Sequence, residues 1–218
     1  MLTYEDLIHW CDEEEISASH IALFIRYLTE LVQSIQCTNS YGLLCPTLLS
    51  KFASFENEEN RSVYIVKAMT CTGCESGRKL IFAPYFEDNH WMLAAINPKD
   101  SVVYWCDPAG TLEPRKFLKD TINLAITKLN SMDPFFGCHQ EKQLEWKIIK
   151  CPTQPFGTVL CGYYICRYML EIIRGRYVNI IPNFMIRAPK TYSVEQTDDF
   201  LYTENHNEYP NTSSDSNN

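Results

Sequence analysis

Three short runs, KLIFAPY, HWMLAAIN and SVVYWCD, follow one another between residues 79 and 107, separated only by turn-rich stretches around FEDN and PKD. Side chains that are β-branched or aromatic at this density favour extended backbone, and short connections force neighbouring strands to pair antiparallel. Strands are therefore predicted at Lys79–Tyr85, Trp91–Asn97 and Ser101–Cys106, the last two as a hairpin. A sheet built on that hairpin has faces that the rest of the chain must cover.

The covering elements carry helical spacing. Ile21, Phe24, Ile25, Leu28, Leu31, Val32 and Ile35 follow the i, i+3, i+4, i+7 rule, which predicts an amphipathic helix over 18–36 with Ser17 or Ser19 as its cap. Pro114 opens a second, with Leu118, Ile122, Ala125, Ile126 and Leu129 on one face. Ile165, Tyr168, Met169 and Ile172 mark a third, running from about Cys161 to Arg174. Leu144–Cys151 is predicted as a further strand, ENEENR as an exposed polar segment, and SVYIVKAM as a short element that could be helix or strand. The order helix, strands, helix, strand, helix is α+β.

Composition narrows the classes of function. A chain of 218 residues that is 45% hydrophobic can bury a core. Its formal net charge of -8 is opposed to direct nucleic-acid binding, which needs clustered Lys and Arg. No window approaches the ~18 apolar residues of a membrane span, and the N-terminus lacks the basic and apolar regions of a secretory signal. Ten cysteines in that setting are expected to be reduced thiols of a cytosolic or nuclear protein. The last residues, TENHNEYPNTSSDSNN, have the polar composition of a disordered tail.

Among the thiols, Cys161 has a distinctive place. A nucleophilic cysteine acts as a thiolate, and the first turn of a helix favours the anion through its dipole and free amides. Cys161 falls where that turn is predicted, although a buried core thiol would have the same position. Of the five histidines, only His90 adjoins a strand able to hold it. The hairpin brings its two ends together, so Asp107 should lie close to His90 and can orient the imidazole, unless it is simply a turn residue before Pro108 and Gly110. Gln154, in QPFGTVLCG, can donate to a developing oxyanion alongside the Cys161 backbone amide. Together these residues contain the parts of a Cys-His-Asp acyl-transfer site.

NHWMLAAI, VVYWCDPAG and CPTQPFGTVLCGYYICRYM resemble, in order and spacing, the His-Trp, Asp and Gln-x-Cys-Gly blocks of the ubiquitin-like-protein proteases, the Ulp/sentrin-specific superfamily. The likeness extends over roughly residues 5–187 and is greatest to the plant Ulp-like proteases derived from transposable elements. It implies a papain-like α+β fold, a central mixed sheet flanked by helices, occupying residues 1–190, with 191–218 as the tail. It also implies Cys161 as nucleophile, His90 as base and then acid, Asp107 as orienting carboxylate and Gln154 as oxyanion donor. Trp91 and Gly162 would serve substrate binding, Trp91 at the narrow channel for a Gly-Gly end.

The activity implied is cleavage after the C-terminal Gly-Gly of SUMO or a related modifier, by a nuclear or cytoplasmic monomer with no metal and no cofactor. Two positions depart from the family pattern. Leu160 stands where Asp or Glu is common, and the stretch from Gln154 to Cys161 is one residue longer. They favour an alternative, a protease-fold module that binds a ubiquitin-like protein without cutting it. Cys71 and Cys74 form a lone C-x-x-C in a predicted loop, Cys106 and Cys151 are read as strand residues and Cys166 as core.

Overall fold

The backbone pairs its strands in the order in which they occur, giving a five-stranded mixed sheet. The computed structural model describes residues 15–53, 58–70, 80–110, 113–132 and 144–178. Cys71, Cys74, His9, His139, His206 and the tail 191–218 lie outside the described residues. The elements run α1 (Ala18–Ser34), β1 (Tyr41–Leu43), α2 (Pro46–Leu49), α3 (Glu58–Met69), β2 (Leu80–Glu87), β3 (His90–Asn97), β4 (Val102–Cys106), α4 (Lys116–Met132), β5 (Glu145–Ile149) and α5 (Cys161–Arg174).

The central meander is antiparallel, while β1–β2 and β4–β5 pair in parallel. Asp88 and Asn89 both take φ near +55° in the β2–β3 turn, closing Glu87 onto His90. That left-handed pair is the geometry that matches strand twist in a two-residue hairpin, and Asp and Asn tolerate it. At the other end, Asn97 Nδ2 donates to Asp100 Oδ2 at 2.8 Å while Asp100 N–H donates to Asn97 Oδ1 at 3.0 Å. Both ends of β3 are thus held in register.

Both faces of the sheet are covered. Odd positions of β3 and even positions of β2 and β4, including Phe82, Trp91, Leu93 and Tyr104, pack with α1 and α5. The alternate positions, including Tyr85, Met92, Ile96 and Trp105, pack with α3 and α4. The helical faces read from periodicity are the buried ones: Ile21, Phe24, Leu28 and Val32 on α1, and the whole predicted set on α4. Ser17 is the α1 cap, its N–H donating to His20 Nδ1 at 2.9 Å.

One open reading is decided and two local expectations are corrected. SVYIVKAM belongs to α3, and the polar stretch before it supplies the first turn of that helix rather than a uniformly exposed segment. Arg61 there is 3% exposed because its guanidinium lies 4.9 Å from the Phe117 ring centroid and donates to the Ser50 carbonyl at 3.2 Å. Stacking and a carbonyl acceptor offset the loss of water around the cation. The strand expected over Leu144–Cys151 is shorter, Glu145–Ile149, which leaves Cys151 just beyond its end.

Candidate active site

The sheet's central hairpin builds one half of the site. Leu93 is paired with Cys106, so the next residue of the second strand, Asp107, comes alongside the beginning of β3. Its carboxylate Oδ1 lies 2.6 Å from His90 Nε2 and also accepts the Ala109 N–H at 2.9 Å. Asp107 is buried, at 3% exposure, so its charge is little screened by water and acts on the imidazole directly. The reading of Asp107 as no more than a turn residue is set aside: its backbone carbonyl does close a turn with Gly110 N–H, but its side chain holds His90.

The other half comes from α5, which begins at Cys161. The Trp91 backbone N–H donates to Cys161 Sγ at 3.4 Å, tying the helix start to the residue after His90. Burial pulls the His90 imidazole down. Hydrogen bonds to Asp107 and Cys161, with the charges of both, outweigh that effect and raise it from 6.5 to about 9. At neutral pH His90 is therefore a cation between two acidic partners. An imidazolium bonded to a carboxylate on one side and a thiol sulfur on the other can shuttle a proton at the sulfur.

Gln154 is anchored twice. Its backbone N–H donates to the Pro108 carbonyl at 2.9 Å, directly after Asp107, and its side-chain Nε2 donates to the Thr158 carbonyl at 3.0 Å. Its Oε1 is buried without a hydrogen-bond partner. A primary amide carries two hydrogens on nitrogen, so one can pin the loop while the other serves an acceptor. Between Gln154 and Cys161 the chain turns out at the surface. Phe156 is fully exposed, Gly157 takes φ +79°, and Thr158 closes the turn onto the Pro155 carbonyl through Oγ1 at 2.8 Å. Leu160, the residue before the helix, is turned into the core.

Trp91 and Gly162 sit together. Trp91 is 1% exposed, its ring tilted against that of Phe86 at 4.9 Å between centroids, and its Nε1–H donates to the Ile16 carbonyl at 2.8 Å. A Cβ on Gly162 would fall 2.3 Å from Ile16 Cγ1 and 3.1 Å from Trp91 Cδ1, so only glycine admits this approach. Ile16 was not singled out by sequence. Its signal is an apolar residue just before the Ser17 cap, matched by Ile21 four positions after the cap, the spacing of a hydrophobic staple; both are buried in one core. Among the described residues no group of three or more His, Cys, Asp or Glu is placed to hold a metal.

A cysteine at a helix start, an imidazole from the sheet and a carboxylate behind it, within an α+β domain, define the class of papain-like cysteine peptidases. The family model described as the Ulp1 protease family, C-terminal catalytic domain, matches residues 14–199. The chain belongs to the Ulp1 protease family and carries its cysteine peptidase domain. The fold is similar to that of the SUMO protease Ulp1 with its catalytic cysteine oxidised to a sulfenic acid, with TM-score 0.58 and 16% identity over 90% of this chain and 78% of that one. It is similar to a de-sumoylating protease, with TM-score 0.60 and 16% identity over 85% of this chain and 70% of that one. The Ulp1-like SUMO protease catalytic domain of Chaetomium thermophilum gives TM-score 0.59 and 14% identity over 85% and 68%. No curated protein matches the chain in sequence.

Proposed function

We propose that this chain is an isopeptidase that cleaves after the C-terminal Gly-Gly of SUMO or a related ubiquitin-like modifier, with Cys161 as nucleophile. The observation that carries this reading is the 2.6 Å His90–Asp107 contact set against the helix that begins at Cys161. The Ulp1 protease domain whose fold this chain shares has been seen in complex with Smt3, the yeast ortholog of SUMO, at TM-score 0.57 and 16% identity over 90% and 77% of the two chains.

In the proposed cycle the Cys161 thiolate attacks the carbonyl of the terminal glycine, and charge develops on its oxygen. The Cys161 backbone N–H and the free hydrogen of the Gln154 amide stabilise that oxyanion. His90 gives its proton to the departing amine, leaving an acyl-enzyme, then takes a proton from the water that hydrolyses it. Asp107 keeps the imidazole oriented throughout. Trp91, almost wholly covered, acts as the rigid back of the substrate channel, and Gly162 keeps the helix start close to it. A thiolate mechanism needs no cofactor, and we place the activity in the nucleus or cytoplasm.

A modifier bearing a C-terminal electrophile is expected to form one covalent adduct, at Cys161, and none on Cys161→Ala, read by intact mass. A panel of SUMO, ubiquitin and other modifiers identifies the substrate. Modifier binding without adduct or turnover would replace this reading with that of a non-cutting module, which Leu160 and the longer loop brought into view. Gln154→Ala is expected to lower kcat on the order of 10²–10³-fold with little change in KM, since an oxyanion donor acts mainly in the transition state.

A further inference from the structure

Two thiols outside the proposed triad meet directly behind it. Cys106 closes β4, immediately before Asp107, and is wholly buried. Cys151 follows the end of β5, the parallel neighbour of β4, and both cysteines pack into the core on the α5 side of the sheet. Both are free thiols. Cys151 Sγ donates to the Asp107 carbonyl at 3.3 Å, beside the residue that Cys106 precedes, and the two thiols lie close enough to act on each other. Cys151 is only partly buried, so a small reagent can reach it.

We propose that Cys106 and Cys151 form a redox site that takes hydrogen peroxide and closes to a disulfide behind the His90–Asp107 pair.

The pair divides the labour such chemistry requires. Interaction with the Cys106 side chain lowers Cys151 below the ordinary thiol value against the opposing effect of burial, and the Tyr168 hydroxyl helps. Cys106 is raised well above that value, first by the same interaction and then by burial. Cys151, the more accessible and the more readily ionised of the two, is thus the attacking thiol, and wholly buried Cys106 the resolving one. The Cys151 thiolate attacks one peroxide oxygen, breaking the O–O bond to give a sulfenic acid and hydroxide, which takes up the proton that Cys151 released on ionising and becomes the first water. Cys106 sulfur then attacks the sulfenic sulfur, and its proton leaves with the hydroxyl as water. Starting from two thiols, one peroxide is reduced, two waters form and the thiols end as one disulfide.

The bond would staple the end of β4, which carries Asp107, to the segment that leads within three residues to Gln154. It also removes the hydrogen that Cys151 donates to the Asp107 carbonyl. By contrast Cys166 is wholly buried and raised by burial alone, which keeps it a thiol.

The test reads a covalent bond instead of turnover, so its failure is distinguishable from failure of the substrate assignment. The full chain carrying Cys161→Ala is treated with equimolar hydrogen peroxide, free thiols are alkylated, and peptides are mapped without reduction. The expected result is a linked peptide pair containing Cys106 and Cys151, loss of alkylation at both, and recovery of both by dithiothreitol. In Cys106→Ser the link is expected to vanish and Cys151 to be trapped by dimedone as its sulfenic acid. Full alkylation of both residues in peroxide-treated chain, or Cys151 linked to any other cysteine, would overturn the proposal. So would an equal yield of the link from chain unfolded in urea, because the pairing would then owe nothing to the fold.

Discussion

Cys161→Ala is expected to reduce turnover of a modifier conjugate by about 10⁶-fold, the scale on which loss of a nucleophile acts in a hydrolase of this kind. The side chain is 3% exposed and the substitution removes one sulfur from a helix start, so the thermal midpoint should change little. The decisive comparison is with Cys161→Ala combined with His90→Ala. Residues that work as one unit lose their effect together, so the double variant should be no slower than the single one. A double variant much slower than either single would mean that His90 acts on something other than Cys161, and the assignment of roles would have to be redrawn.

The second large effect is expected of Asp107→Asn, which keeps the shape and removes the charge. An orienting carboxylate is worth on the order of 10⁴-fold in kcat in related triads, and the same order is expected here. The pH dependence carries the sign of the interaction. The hydrogen bond and charge of Asp107 both raise His90, which reaches about 9 in spite of burial, so the alkaline limb of activity should lie near that pH. Without the carboxylate that limb should move to lower pH. The limb is compared between parent and variant as a macroscopic value.

Stability should follow the same linkage. His90 has a higher value folded than its ordinary 6.5, so its contribution is complete below about pH 6.5 and is lost as pH rises through about 9. Urea midpoints measured across that window should fall with pH in the parent chain. In Asp107→Asn the fall should be smaller and complete at lower pH. A window unmoved by the substitution would show that Asp107 is not the partner that holds the imidazole charged.

Most of the site was legible because its parts lie close in sequence or across a hairpin. His90 and Asp107 are 17 positions apart, and the turn between their strands fixes which positions face each other. The helix that starts at Cys161 showed its apolar face by spacing alone, and every residue of that predicted face is buried. Gln154 was nameable, but the path of the chain from it to Cys161 was not. The hydrogen bonds of Gln154 to Pro108 and Thr158 hold the amide, and the loop turns outward at Phe156 and Gly157.

What stayed hidden depends on contacts between distant segments. Three-residue β1 has no periodicity to read, and it is a strand because Tyr41, Gly42 and Leu43 align in parallel with Leu80, Ile81 and Phe82. The pairing of β4 with β5 leaps from Val102 to Glu145, a register that no local turn dictates. Arg61 became a core residue only when Phe117, from another helix, supplied a ring. Ile16 became part of the site only when Gly162 came close enough to forbid a Cβ.

The sequence by itself determined the meander, the amphipathic helices, the family and the candidate residues of the site, because side-chain period and short-range turn chemistry are encoded within tens of residues. Tertiary structure alone decided the parallel edges, the buried cover over Trp91 and the meeting of Cys106 with Cys151 behind Asp107. Those arrangements arise when separate segments exclude water from a shared surface, and a strand or thiol gains its partner only there.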